Sequence, residues 1–565
     1  MSREEYVPKR SSGGSRVADT HGSKSRKPAR EPIKREGSAA PRTNDREEPR
    51  KPKSAGNGPS GKAPSGGKPP KRPPQGGKKS HCSGVGILMA VAMFLVELAF
   101  GVFLMSTKLL PAKILVAVYV LLFLLWIIVA VLVIDHAKKA RFIVGCIISV
   151  LLTAVLLGGG YAIYSGVALV KNNTGANTEV SHMGVYIRVD DRAEKLEDVA
   201  DYQFGILNKL DRTNVDRAIE QVNADLNSTI KVSSDYADVP ELLNALRDKK
   251  VDAVILNDAY IQMLEETEGF ENIRSEIREL TQVRIETQIV SQNTANNPEH
   301  EHVFTMYISG IDSRTGLVAK SHSDVNIVAT VNTKTHQIFL LSTPRDYYVP
   351  LSISDGVPDK LTHAGIYGID VCMDTISMLY DMDLNYYFRL NFSGFEDIVD
   401  AIGGVTVYNN HEFNAEGIKF DKGNLTLNGR EALLFARERK SFPDGDAQRA
   451  RNQMQLIQVM FNKMISPDIL AKYTDIMKAV DGCFETSMPY DTLAGLVREQ
   501  LDSNAQWEVI SYAVSGTGAK KKPYSMSSKA YVMIPDMSTV ETARNMIDHM
   551  YRDERITTPP APTEN

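Results

Sequence analysis

Val325-Asn-Ile-Val-Ala-Thr-Val331-Asn-Thr-Lys-Thr-His-Gln337-Ile-Phe-Leu-Leu-Ser342 sets two apolar, β-branched runs on either side of a polar break. Runs this short and this apolar, bounded by turn formers, read as buried strands rather than helices. Phe304-Thr-Met-Tyr-Ile308 just upstream is a third. Further along, Phe395–Ala401 reads as a helix that stops at Gly403-Gly404. Strands interleaved with helices over 303–553 predict an α/β domain.

Working back toward the N-terminus, Ser291–His302 is polar and predicts a linker, 291–302. His300 and His302 in it read as solvated side chains rather than metal ligands. Residues 171–290 form a smaller α/β unit. Met183–Val189 and Val251–Leu256 read as strands, as does the β-branched Thr229–Val232. Asp201–Leu210, Val215–Leu226 and Val239–Asp248 read as helices.

Three apolar segments precede this unit within 83–170: Gly84–Met105 with one acid, Glu97, then Ile114–Ile134 and Phe142–Val170 without charge. Each is long enough to span a bilayer core of roughly 30 Å. The first lacks a cleavage site and is followed at once by a second span, so it is not a cleavable signal. Glu97, an intramembrane acid and so a candidate for a transport or relay role, reads rather as a residue packed in the bundle or protonated. Residues 1–82 hold no long apolar run; the first 80 carry 21 Lys and Arg against 8 Asp and Glu. With a whole-chain charge of −4, the remainder carries −17. Such a tail is expected to be disordered, and its position before three spans assigns its charge to anionic lipid rather than nucleic acid. Lys68, Lys71, Arg72, Lys78 and Lys79 flank the first span. Lys138, Lys139 and Arg141 fill the second loop, against Lys108 and Lys113 in the first. The positive-inside rule then puts the tail in the cytoplasm and everything after Lys171 outside. Residues 554–565, rich in Thr and Pro, read as a disordered end. Cys82, Cys146, Cys372 and Cys483 are too few for a disulfide framework, and no Cys or His spacing fits zinc.

The chemistry lies at strand ends. Ser309-Gly-Ile-Asp-Ser-Arg-Thr-Gly316 follows one strand and His322-Ser-Asp-Val-Asn-Ile327 enters the next. If the strands are neighbours, Asp312 and Asp324 can meet; two carboxylates near phosphate suit Mg²⁺, although loop aspartates commonly make Asx-turns. Leu341-Ser-Thr-Pro-Arg-Asp346 projects Arg345 from the end of the third strand. Lys360, in Asp359-Lys-Leu-Thr-His-Ala-Gly365, reads as a mobile charge for phosphate, and His363 as a capping residue before a base. Phe435-Ala-Arg-Glu-Arg-Lys-Ser-Phe-Pro-Asp-Gly-Asp-Ala-Gln-Arg-Ala-Arg-Asn-Gln453 gathers four guanidiniums. Arg437 and Arg439 share a side if extended. Asp446 can cap a helix on which Arg449 and Gln453 share a face. Convergence on one anion competes here with an ordinary solvated face.

Taken together, Gly310-Ile-Asp-Ser-Arg, His322-Ser-Asp-Val-Asn, Ser342-Thr-Pro-Arg-Asp, Lys360-Leu-Thr-His-Ala, Phe395-Glu-Asp-Ile-Val-Asp-Ala-Ile-Gly-Gly-Val, Leu427-Asn-Gly-Arg-Glu-Ala-Leu and the Arg437–Gln453 run resemble the LytR-CpsA-Psr family. The three-span anchor and extra unit resemble its capsule-type branch. The smaller unit weakly resembles periplasmic solute-binding proteins, in Asp201-Tyr-Gln-Phe-Gly205 and Lys250–Tyr260. That implies a ligand or partner module, or a spacer.

The family resemblance implies an α/β domain with a mixed central sheet flanked by helices, working as a membrane-anchored phosphotransferase. It would move a capsule, teichoic acid or other wall glycopolymer from a polyprenyl-diphosphate carrier to peptidoglycan, with Mg²⁺, at the cell membrane. Membrane lipid and envelope-assembly proteins would be its further partners. Carried over by motif, Asp312 and Asp324 would hold the metal. Arg345, Arg437, Arg439 and Arg449 would clamp phosphate with Gln453 and Lys360, and Asp446 would orient Arg449 or take the acceptor proton. His322 stands where the family commonly has Arg. Ile366, Ile369, Val371, Met378, Leu379, Leu390, Phe392, Phe395, Ile398 and Val399 are candidates for an apolar groove, or ordinary core. A diphosphate hydrolase and a non-catalytic sensor are the alternatives.

Overall fold

The computed structural model describes residues 84–558 apart from 135–138, 266, 290–301, 312–319, 444, 465–475, 477–481 and 527. The basic tail, most of the linker and Asp312 lie outside the described residues, as does the side chain of Asp446.

The three apolar segments are the helices α1 (Gly84–Ser106), α2 (Ala112–Ile134) and α3 (Lys139–Asn172), each long and apolar enough to cross a membrane. Small residues bring them together: a Cβ on Gly86 would lie 2.1 Å from the Val133 carbonyl oxygen, and one on Gly101 would strike the Tyr119 ring. Trp126 Nε1 donates to the Ala90 carbonyl at 2.9 Å. Glu97 is buried in the bundle.

The first outer unit comprises β1 (Thr178–Arg188), β2 (Gln203–Leu207), α4 (Arg212–Leu226), β3 (Lys231–Tyr236), α5 (Val239–Arg247), β4 (Ala253–Asn257), α6 (Asp258–Glu265), α7 (Ile273–Glu276) and β5 (Ile277–Gln288). Its sheet runs β3-β2-β4-β1-β5. The helix expected over Asp201–Leu210 is instead β2, parallel to both neighbours. Phe204, Ile206 and Leu207 are fully buried there. A central strand covered on both faces shows an unbroken apolar run, which periodicity cannot tell from a short buried helix.

The second unit begins with β6 (Val303–Ile311), β7 (Ser323–Asn332), β8 (Gln337–Thr343), β9 (Tyr348–Pro350), β10 (Pro358–Lys360), α8 (Ala364–Tyr367), α9 (Ile369–Tyr380), β11 (Tyr386–Asn391) and α10 (Phe392–Ala401). It continues with β12 (Val405–Asn409), β13 (Phe413–Ala415), β14 (Ile418–Phe420), β15 (Gly423–Leu427), α11 (Gly429–Arg437) and α12 (Gly445–Met464). It closes with β16 (Phe484–Thr486), α13 (Tyr490–Ser503), β17 (Glu508–Ala513), β18 (Gly516–Lys521), β19 (Ala530–Pro535) and α14 (Met537–Tyr551). The central sheet is mixed, in the order β16-β11-β6-β7-β8-β17. One face packs on α9 and α14 through Phe339, Leu341, Ile376 and Val540. The other, with Ile327, Ala329 and Leu340, packs on α12 through Met454.

The two outer units share core. Ile366 and Met526 of the second join Tyr260 and Leu264 of the first. Arg389 on β11 is buried between Glu179 of β1, at 2.6 Å, and Glu485 of β16, at 3.2 Å. The loop between α1 and α2 and the start of α2 also touch the second unit. Lys108 pairs with Asp491 at 2.7 Å, Lys113 with Asp502 at 3.0 Å, and Tyr490 Oη donates to the Thr107 carbonyl at 2.8 Å.

Candidate functional site

β6 and β8 end, and β7 begins, at one edge of the sheet. Ligands collect at such carboxyl ends in open α/β sheets. β7 and β8 pair Asn326 with Thr343. Two residues further out, that antiparallel register sets Asp324 opposite Arg345, and the two form an ion pair of 2.9 Å. Thr362 Oγ1 lies 3.5 Å from the same carboxylate oxygen. Pro344 ends the strand, so Arg345 stands clear of the sheet.

The helical side of the site comes from α11 and α12. Asn428 and Glu431 form a capping box that starts α11. The helix runs to Arg437, and Glu438 is its extended cap. The segment is therefore not extended through Arg437 and Arg439, the condition under which they would share a side: one closes a helix and the other follows it. The Arg437 guanidinium lies over the Phe392 ring, 4.4 Å from its centroid. The helix carrying Arg449 begins at Gly445, so Asp446 falls inside its first turn instead of capping it. Gly445 is required there, because a Cβ would lie 2.4 Å from the Arg439 carbonyl oxygen.

The end of α11 leaves carbonyls without helical donors. Asn452 Nδ2 donates to Phe435 O at 3.1 Å and Gln453 Nε2 to Ala436 O at 3.2 Å. These two amides fasten α12 to the arginine-bearing end of α11. Gln448 bonds Asn452 at 2.8 Å and accepts from Arg451 at 2.7 Å. Arg451 thus braces its own helix.

Asp324, Arg345, Asp346, Arg449, Gln453 and Met533 line one cleft. It unites sequence-predicted residues from β7, the β8 end and α12. Lys360 is not mobile: it is buried, with Nζ 3.2 Å from Asp346 Oδ1, so it stands behind the cleft wall. His363 is buried as well; its Nδ1 meets Asp359 Oδ1 at 2.7 Å and Ser525 Oγ at 2.9 Å. It knits the β10–α8 loop and has no role at the surface. The His322 ring lies beside it, centroids 5.6 Å apart. Among the groove candidates, Ile366 joins the shared core of the two outer units, and Ile369 and Val371 belong to the core under α9. Leu390, Phe395, Ile398 and Val399 pack in a separate cluster with α11 and α12. Met378 is exposed.

The donors at the cleft, the Asp324 and Asp346 carboxylates with the Thr362 hydroxyl nearby, are hard oxygens, the kind Mg²⁺ takes. Among the described residues no three His, Cys, Asp or Glu side chains gather as a metal cluster. Mg²⁺ needs only one or two carboxylates when phosphate and water complete its shell, so the residues fit the ion. Sequence reading missed Asp346 and Met533. Asp346 stood inside a quoted motif, whereas Met533 reaches the cleft through a long-range bridge to Tyr347 that leaves no local signal.

The LytR_cpsA_psr family matches residues 265–547. The polyisoprenyl-teichoic acid–peptidoglycan teichoic acid transferase TagU of Bacillus licheniformis is 32% identical over 230 residues, 40% of this chain and 74% of that relative. TagU of Bacillus subtilis is 34% identical over 218 residues, 38% of this chain and 70% of that one. The crystal structure of B. subtilis TagV is 27% identical, covers 45% of this chain and 99% of its own, and has a TM-score of 0.38. That of B. subtilis TagU is 29% identical, covers 46% and 100%, and has a TM-score of 0.35. With half its length matched by one family, the chain belongs to the LytR_cpsA_psr family.

Proposed function

We propose that this chain is a membrane-anchored phosphotransferase that moves a wall glycopolymer from a polyprenyl-diphosphate carrier to peptidoglycan. The observation that carries the reading is the cleft in which Asp324, Arg345, Arg449 and Gln453 meet at the carboxyl edge of the sheet. The names of the TagU relatives support it. The three-span anchor and the additional α/β unit motivate the capsule-type branch.

In the reaction, a sugar hydroxyl of peptidoglycan attacks the phosphorus that bears the glycan. The bond from that phosphorus to the bridging oxygen breaks, and polyprenyl phosphate leaves. Charge neutralisation and alignment dominate such a step. Arg345 and Arg449 bind phosphate oxygens from two walls of the cleft; Arg437 and Arg439 add charge from the end of α11, and Gln453 orients the group. Lys360 contributes through Asp346. Asp324, with Asp312 on the adjoining segment, would hold Mg²⁺, which supplies positive charge to the diphosphate when bound. Asp446 takes the acceptor proton or orients Arg449.

The domain works outside the cell. The Lys/Arg asymmetry supports that orientation, as do the Lys108–Asp491 and Lys113–Asp502 pairs, which tie the first loop and the second outer unit to one side.

The test is to incubate the full chain with carrier-linked polymer and peptidoglycan. Polymer covalently joined to peptidoglycan is the expected product. Free phosphorylated polymer alone would make water the acceptor and the chain a hydrolase.

A further inference from the structure

The β18–β19 hairpin is a basic element on an otherwise acidic outer part. Residues 516–535 contain four lysines and no Asp or Glu. Lys520, Lys521, Lys522 and Lys529 are all exposed. Among the described residues none of them forms an ion pair. In the same unit Lys334, Lys360 and Lys419 are each held by a carboxylate. Unpaired ammonium groups this close together repel one another, and an anion laid across them relieves that repulsion.

The hairpin is also continuous with the cleft. Met533 of β19 lines the cleft, and its N–H donates to the Asp346 carbonyl at 2.7 Å. Gly518 pairs with Met533 and Lys520 with Tyr531. Partners directly opposite share a face, and alternate residues along a strand return to it. Met533, Gly518, Tyr531 and Lys520 therefore form one surface leading away from the cleft. The Tyr531 ring lies over Gly518, where a Cβ would come within 3.0 Å of it, and the residue is 46% exposed. The loop that joins the two strands is fixed: Tyr348 Oη donates to the Lys522 carbonyl at 2.7 Å and Ser525 N to Asp359 Oδ2 at 2.9 Å.

We infer that this hairpin seats the first phosphate-bearing units of the glycopolymer, sugar against the Tyr531 ring and phosphate on the lysines, and so favours anionic over neutral polymers. The inference rests on the transferase reading, which puts the diphosphate in the adjoining cleft.

The test uses the full chain in detergent, with soluble poly(glycerol phosphate), neutral dextran and farnesyl diphosphate as probes. Wild type should bind the phosphate polymer, not dextran, with an affinity that falls as salt is raised. The variant K520Q/K521Q/K522Q/K529Q should lose that affinity by about tenfold or more, since several modest exposed contacts are removed together. Its affinity for farnesyl diphosphate should hold within about twofold, as at separate sites. Tyr531→Ala should weaken a glycosylated phosphate polymer more than the bare one. Undiminished polymer binding by the quadruple variant overturns the inference. So does a wild type that ignores the polymer while anionic-lipid nanodiscs protect the same lysines from amine labelling, which would make the hairpin a membrane contact. Failure of wild type to bind farnesyl diphosphate instead overturns the transferase reading, and the polymer arm still gives its own answer on the hairpin.

Discussion

Arg345 Nη1 lies 2.9 Å from Asp324 Oδ1, with the two side chains only 11% and 19% exposed. The carboxylate holds the guanidinium in place at this edge, and it is the same group proposed to hold the metal. Arg345→Ala should weaken farnesyl diphosphate binding by roughly one to two powers of ten, the range of a charge-assisted hydrogen bond of about 1.5–3 kcal/mol. Asp324→Ala and Asp312→Ala should each abolish the response of transfer to Mg²⁺ while circular dichroism stays near wild type, although Asp324→Ala also takes the partner from Arg345 and should melt somewhat lower. Both positions are assigned to strand ends rather than core. Full Mg²⁺-dependent transfer in the Asp312/Asp324 double variant would remove the metal assignment.

The guanidiniums of α11 and α12 make a second prediction. Arg437→Ala, Arg439→Ala and Arg449→Ala should each reduce affinity for farnesyl diphosphate more than for farnesol, by calorimetry on the full chain. An exposed charge with no anion to hold contributes about 0–1 kcal/mol. Arg451 bonds Gln448 within its own helix, so Arg451→Ala should discriminate less. Equal losses in all four variants would reduce the cluster to a general basic face.

Much of this was legible where the signal is local. The strands around Val325–Val331 and Gln337–Ser342, and the three spans, follow from apolar runs, and Pro344 correctly placed Arg345 beyond a strand end. What failed needed tertiary information. β2 is a central strand with both faces covered, so its apolar run looks helical. Arg437 sits on a helix because a capping box nine residues earlier starts one, and Asn452 and Gln453 cap its end from another helix. Lys360 is tied down by Asp346 through a contact across a loop. The partnership of Glu179 with Arg389 spans two units and has no signature in either stretch.

The orientation of the chain is open to a direct measurement. A reporter fused after Ser60 should be cytoplasmic, and one at Gly175 external. The positive-inside bias motivates this, with the contacts that Lys108 and Lys113 make to the second outer unit. An external tail would overturn the localisation and most of the functional reading.

Arg389 should be the most sensitive charge outside the cleft. It is 2% exposed and serves two carboxylates on two strands. Arg389→Met leaves both without their cation, and breaking a buried pair in this way costs about 3–5 kcal/mol. Thermal melting of the full chain in detergent should fall clearly. Replacing Glu179 and Glu485 along with it, by Gln, should recover part of the loss. If the triple variant melts no higher than Arg389→Met, the penalty comes from lost packing and not from stranded charge.

The same cluster gives stability a pH dependence of definite sign. Burial raises the Glu179 carboxyl above its ordinary 4.5, against the pull of Arg389 and Lys320. The folded chain then binds this proton more tightly than the unfolded chain does. That contribution is complete below about 4.5 and is lost as pH rises through the folded value. Asp211, on the same side of the domain junction, is raised from 3.8 by burial and shifts stability the same way. Relative to Glu179→Gln, wild type should therefore lose melting temperature as pH climbs from about 4.5 toward neutrality. The penalty of Arg389→Met should grow over the same interval, because Glu179 meets the missing cation as an anion only once it has ionised. Parallel melting curves for wild type and Glu179→Gln across that interval would show that the folded carboxyl titrates as it does in the unfolded chain.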